Sequence, residues 1–466
     1  MRTALIALLG TLIGASAAAA DTPTFYKDVL PILQANCQTC HRPGEVAPMS
    51  LLTFDEARPW AKAIQKAVVS RQMPPWFADP KVGHFANERR LNTHDIDTIN
   101  AWVDAGAPAG KEADAPAALT FTSGWNLKPD IVIEMPKAFE LPARGTINYK
   151  YVLVKGNFTE DLWISSAEMR PGNSKVLHHG KVWVRPPGST WMSKAEYGVA
   201  YERETQSDII GDNSIGEGND ILGKFNPGLG AQRFDLDGAA KFVPKGSDLV
   251  FELHYTTTGE QTTDVSKLGL VVSKTPPRNR YYFHAGPTAG NLAIPAGDQN
   301  AEVVSEITFG QDARLVYAQP HMHLRGKDFE LRVVTPDKQV TTVLKGAFNF
   351  EWQMGYQFAE PISIPKGSKL LFISHFDNST ANRFNPDPAK KVLWGPQNWD
   401  EMSNCFIGVL FPTSTAPESV FLRSGPSLLP RGEFGPTLAQ ASQVDPNAVG
   451  KASNASSGGA ADNGGQ

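Results

Sequence analysis

The sequence predicts a multidomain chain: a small helical part comes first, and a much larger all-β portion follows. Three observations carry this. Helical periodicity is confined to the stretch before Gly106. The runs after Leu119 are short and rich in Val, Ile, Tyr and Phe. Finally, 41 glycines and 35 prolines supply turns for many short strands. At 466 residues the chain has room for more than one domain. Its hydrophobic content of 41% is enough for ordinary cores, and a net charge of −4 leaves no basic footprint for nucleic acid.

The chain opens with what reads as an export signal. Arg2 supplies the positive charge, residues 4–13 the apolar core, and residues 16–20 the small side chains ahead of Asp21. The apolar run is too short for a membrane span, and no other stretch reads as one. The mature protein is expected to be periplasmic or secreted, and not membrane-embedded.

Cys37-Gln38-Thr39-Cys40-His41 is a C-x-x-C-H motif, the attachment signature of c-type haem. Its spacing lets both thiols reach the vinyl groups on one porphyrin edge, and His41 then swings under the iron. A redox disulfide or half of a zinc site are the other readings. Against them, no second C-x-x-C follows, and export takes the chain to where such haems are attached. The flanking sequence is helical. Residues 28–35 lead into the motif. Thr53-Phe54-Asp55-Glu56 is a capping box opening a helix to about Ser70, with Pro59 kinking or delaying its first turns. Ile96, Ile99, Trp102 and Val103 mark a third helix ending at Gly106. Three helices around this motif resemble the small class I cytochrome c fold over residues 23–110. For the sixth iron ligand, Met73 precedes Pro74, which pushes it out of the helix onto a stiff loop; Met49 and His84 are competitors. A thioether ligand suits electron transfer. Cys405 is left as a lone thiol, so no disulfide framework is available.

Residues 110–119 lack periodicity and read as a loose linker. Beyond it the histidines carry the chemistry. His321 and His323 follow a strand-like run, residues 313–318. In a strand, residues two apart share a face, roughly 6.6 Å apart along the chain. Such a pair converges on a metal ion or forms a polar strand face. His178 and His179 are adjacent and would face opposite ways in a regular strand. Sharing one metal requires a strand end or a bulge, which Gly180 permits; otherwise one is buried and one faces solvent. His254 ends another apolar run, residues 249–254, while His284 and His375 are isolated.

The order His178-His179, then Leu253-His254-Tyr255-Thr256, then His321-Met322-His323, then Asp400-Glu401-Met402 resembles the copper type II, ascorbate-dependent monooxygenases, which include peptidylglycine α-hydroxylating and dopamine β-monooxygenases. The likeness covers residues 128–425. It implies a small all-α cytochrome c domain followed by two all-β sandwich (jelly-roll-like) copper domains. The expected ranges are 1–20 for the signal, 21–110 for the haem domain, 111–127 for the linker, 128–286 and 287–426 for the copper domains, and 427–466 for a disordered tail. The resemblance implies that His178, His179 and His254 hold an electron-transfer copper. It implies that His321, His323 and Met402 hold the copper where dioxygen and a small organic substrate meet. A methionine favours Cu(I), the state that meets dioxygen. The expectation is therefore a copper-dependent monooxygenase with two coppers and one covalent haem c. The tethered haem passes electrons from an upstream donor.

The sequence departs from that family in places. In the peptide-amidating members an arginine two residues before the H-x-H pair binds the substrate carboxylate and a tyrosine four after the methionine helps; here these places are Gln319 and Phe406. Asn404 keeps a polar residue, and the family's disulfides are absent. Arg325 offers a charge, but on the other side of the histidine pair. An apolar or aromatic substrate is expected rather than a free carboxylate. Two other classes use the same residues: a non-catalytic haem and copper carrier, and a zinc hydrolase. A methionine ligand counts against the zinc hydrolase.

Overall fold

A computed structural model describes residues 22–422, apart from 44, 46, 122–123, 203–205, 207–219, 227–228 and 396. The expected export signal and tail lie outside the described residues. Within them the chain is mostly β-sheet, with its α-helices in the N-terminal part.

The helices form where their caps and periodicity place them. Leu30–Asn36 continues a wide turn, Phe25–Val29. Thr53 and Glu56 make the capping box: Glu56 N donates to Thr53 Oγ1 at 3.3 Å and Thr53 N to Glu56 Oε2 at 3.0 Å. Pro59 has no N–H to give, and the chain tightens over Arg58–Trp60 before Ala61–Val69 resumes. Asn92 caps Thr93–Asp104, and Gly106, at φ 86°, ends it in the left-handed region. Phe25, Leu33, Ile64, Ile99 and Trp102 close a small core.

The β portion is built on one nine-stranded sheet, with two five-stranded sheets beside it. In the long sheet, Ala239–Val243 runs parallel to Asn279–His284. That strand pairs with Asn404–Pro412, which pairs with Ala313–His321. Two hydrophobic cores use this sheet, and its central strands feed both. Along Asn404–Pro412, Phe406 and Leu410 enter the first core, while Cys405, Ile407, Val409 and Phe411 enter the second. Both faces are buried, so the strand reads as an unbroken apolar run rather than an alternating one. Asn279–His284, just before the expected boundary at 286, behaves the same way. Tyr281 and Phe283 serve the first core and Tyr282 the second. The two β units share a wall. A buried ion pair marks it: Lys241 Nζ meets Asp220 Oδ1 at 2.6 Å, and Phe283 N donates to the same oxygen at 3.1 Å.

The range expected for the haem domain contains an arm, residues 76–88, that docks on the second β unit. Asp79 N donates to Lys345 O at 2.7 Å, Ala347 N to Phe77 O at 3.2 Å, and Ala86 N to Gln357 O at 2.8 Å. Trp76, Ala78 and Phe85 are part of that unit's core. The rings of Trp76 and Phe85 lie 5.0 and 5.4 Å from that of Tyr356. Among the described residues no helix is long and apolar enough to cross a membrane.

Candidate metal centres

Strand Leu177–Arg185 pairs antiparallel with Asp248–Tyr255, placing His179 opposite His254 and Leu177 opposite Tyr255. His178 is the extra residue of a β-bulge, which frees two adjacent histidines from opposite faces. Nitrogen atoms of His178, His179 and His254 all lie within 4.8 Å of one another. Gly180 is not the cause of the bulge. It sits inside the regular register opposite Leu253, and a Cβ there would lie 2.5 Å from Met169 Cε. Burial, the neighbouring imidazoles and Lys181 hold His179 well below its ordinary pKa. Burial first, then His178, Lys181 and His321, bring His254 to about 3. All three rings are therefore neutral near pH 7, and His254 Nδ1 lies 3.1 Å from His179 Nε2. Tyr149 frames them: its hydroxyl lies 3.1 Å from His179 Nε2, and its ring stacks on His254 at 4.6 Å.

The second set starts from one register. Strand Ala313–His321 pairs with Asn404–Pro412, His321 opposite Asn404. The pairing ends there, and the link from His323 to Met402 runs through one carboxylate. Glu401 fixes this beyond the end of the strand. Its buried Oε2 accepts from His323 N at 2.8 Å and Met402 N at 3.3 Å, and its Oε1 from Arg325 N at 2.6 Å. The His321 and His323 rings stand 5.2 Å apart at 87°. Met402 Sδ lies 3.8 Å from Asn404 Nδ2. Burial and Lys181 depress His321 to about 4, offset in part by its bond to Gln353; His323 is held well below the ordinary value by burial and His321. The Gln397 and Asp400 carbonyls approach the His323 ring and favour its charged form, without reaching hydrogen-bond geometry. Both its ring nitrogens are buried without a partner, as is His178 Nδ1. Orphaned buried nitrogens are costly unless something meets them, and imidazole with a nearby thioether is a donor set that suits copper. Met322 turns away into the second core.

A row of charge lies between the sets. Glu252, Lys181 and Lys224 are register neighbours across three strands. Lys181 Nζ bonds Glu252 Oε1 at 2.7 Å and lies 5.0 Å from the Phe406 ring. Lys224 Nζ bonds Gln319 Oε1 at 2.5 Å and Tyr317 Oη at 3.2 Å. The polar atoms of Gln319 are therefore engaged within the protein. Arg325 is buried as well, tied to Asn378 Oδ1 and the Trp399 carbonyl, both at 2.9 Å. Phe406 stacks on Phe283 and lies 5.8 Å from the His321 ring, an apolar wall beside that histidine.

Cys37, Cys40 and His41 share one turn, with Cys40 N and His41 N donating to Cys37 O at 3.1 and 2.9 Å. Both thiols are free, and His41 Nδ1 is buried and unpartnered. Burial, with Cys40 beside it, pushes the Cys37 thiol up to about 12. Met49 packs against the helical core near Cys37. Met73 is half-buried and leads into the arm, and His84 is exposed on the arm, its carbonyl accepting from Ala359 N. His284 accepts from Gly286 N at 2.8 Å and stacks on Phe421; His375 pairs with Asp328 at 2.6 Å.

No protein-family model matches this chain, and no curated protein matches it. Solved structures overlap it weakly. One is the structure of infectious bursal disease virus Gx strain: 11% identity, 63% of this chain and 75% of that one, TM-score 0.18. Another is PBCV-1 VP54 fitted into a reconstruction of the virophage Sputnik: 8% identity, 66% of this chain and 100% of that one, TM-score 0.23. At such scores the likeness carries no argument, and the side chains themselves must supply one.

Sequence reasoning missed Tyr149, Lys181, Lys224, Glu252, Phe350 and Gln353. Lys181 lies two residues from His179 in one strand, so period two includes it, while Tyr149 stands just before Lys150–Val154. Nothing in the sequence marks Gln353, which reaches His321 from a loop.

Proposed function

We propose that this chain is an exported copper-dependent monooxygenase that hydroxylates a C–H bond of a small organic substrate with dioxygen. The reading rests on the three neutral imidazoles whose ligand atoms lie within 4.8 Å, beside a second, electrostatically coupled histidine pair. His178, His179 and His254 would hold one copper; His321, His323 and Met402 would hold the other. Bound copper supplies dioxygen reduction and C–H oxidation, which consume two external electrons and two protons and leave the hydroxylated product and water. A c-type haem on Cys37, Cys40 and His41, with Met73 as the sixth ligand, would supply electrons singly from an upstream donor.

The chain's own residues do the rest. Burial keeps the histidines unprotonated, and Glu401 holds His323 and Met402 together through their backbone N–H groups. Phe406, stacked on Phe283, sets an apolar ring beside His321, while Lys181 and Lys224 are occupied by Glu252, Gln319 and Tyr317. Both features favour an apolar or aromatic substrate over a free carboxylate.

The test is to load the protein with copper, reduce it without oxygen, then admit oxygen with a library of small substrates. The expected result is a hydroxylated product that disappears in Met402→Ala while the haem spectrum stays intact. Cuprous protein that is stable to oxygen and forms no product would instead favour a non-catalytic haem and copper carrier.

A further inference from the structure

Residues 349–355 belong to neither histidine set, yet they touch both. They connect strands Val340–Ala347 and Tyr356–Ile364 of the second β unit. Phe350 places its ring 6.1 Å from that of His178, which belongs to the first β unit. Gln353 Oε1 lies 2.5 Å from His321 Nδ1. An amide oxygen only accepts, so the His321 proton sits on Nδ1 and Nε2 keeps the lone pair. The Gln353 carbonyl also accepts from Gln319 Nε2 at 2.9 Å.

This loop is fastened at both ends. Phe348 N donates to Lys327 O at 2.9 Å, and Phe348 and Met354 pack against the second core. At the far end Asn87 mimics a strand neighbour. Its Nδ2 donates to Gly355 O at 2.8 Å, and its Oδ1 accepts from Gln357 N at 2.9 Å. Asn87 comes from the N-terminal arm. Gly355 has no room for a side chain, because a Cβ would lie 1.7 Å from the Tyr317 hydroxyl.

We propose that residues 349–355 form a positioning bridge between the two centres: Gln353 orients His321, Phe350 backs His178, and Asn87 of the N-terminal arm holds the bridge in place. The inference rests on the two-copper reading. It gives the N-terminal unit a mechanical role at the coppers, independent of any haem.

The test titrates the full chain with Cu(II) against a chromophoric chelator and records its paramagnetic resonance spectrum. Wild type is expected to take two coppers. Gln353→Ala should weaken one of them by about 10–100-fold, the usual range for losing a partner of a ligating histidine, and leave the other unchanged. Gln353→Glu, which keeps the acceptor, should restore binding. Phe350→Ala should shift only the other copper's signal, and Asn87→Ala both. Wild-type binding in Gln353→Ala, or a Gln353→Glu as weak as the alanine variant, overturns the bridge alone. A wild-type chain that binds no copper overturns the two-copper reading and the bridge with it.

Discussion

Glu401 illustrates how much one side chain fixes. Its buried carboxylate accepts three backbone N–H groups, from His323, Arg325 and Met402, and so joins a turn after one strand to the residue before another. Glu401→Ala leaves those donors buried and unpaired, at roughly 1–3 kcal/mol each. The expected result is a melting temperature several degrees lower and loss of one copper site while the His178 set survives, read by calorimetry and metal analysis. His284 offers a cleaner proton test because it lies outside both sets. Burial lowers it to about 4, and its Nδ1 already accepts from Gly286 N. Since the folded value lies below the ordinary 6.5, the unfolded chain takes the proton first as pH falls. The stability it contributes is whole above about pH 6.5 and is lost on descent towards 4, at up to about 1.4 kcal/mol per pH unit. Histidine resonances followed by NMR should show His284 untitrated at pH 6; a midpoint near 6.5 would sink this.

At the scale of elements, a buried ion pair ties parts of the first β unit together, since Asp220 stands just ahead of Ile221–Phe225 and Lys241 lies on Ala239–Val243. Asp220 holds Lys241 and Phe283 N together, and both charges are buried. Asp220→Ala strands a buried ammonium and is expected to cost about 3–5 kcal/mol, measured by urea unfolding. A loss under 1 kcal/mol would mean the first unit is held by pairing and packing alone. The helices were legible because their signals are local: Thr53 with Glu56, Asn92, Gly106, and the face of Ile96, Ile99 and Trp102. So was the closeness of His321 and His323, which stand two residues apart where the strand ends. The bulge at His178 was legible only as a requirement, because a partner strand's register creates it. Contacts between remote segments left no trace. Lys224 meets Gln319, Gln353 meets His321 and Asn87 meets Gly355 through topology, and sequence periodicity does not encode topology.

At the scale of the whole molecule, the arm changes how the N-terminal unit should be dissected. Trp76, Ala78 and Phe85 fill the core of a β unit far along the chain. Trp76→Ala is expected to destabilise that unit by about 3–5 kcal/mol, visible as a drop in its unfolding midpoint. Removing residues 21–110 would therefore damage the β portion as well as any haem. Replacing Cys37 and Cys40 by alanine separates the two, and should leave the unfolding midpoint of the β portion within about 1 °C of wild type. The shared sheet carries a further consequence, for the order of assembly. Asn404–Pro412 sits between Asn279–His284 and Ala313–His321, although it is made after both. As the chain emerges, Asn279–His284 and Ala313–His321 lack their shared neighbour, and the first core lacks Phe406 and Leu410, until this late strand arrives. The usual sequence, in which upstream domains fold while downstream ones are still being synthesised, therefore stops short of a finished first unit. Any holding factor must shield two half-built cores at once. Chains halted before residue 404 are expected to remain protease-sensitive throughout the β portion, not only in its second half.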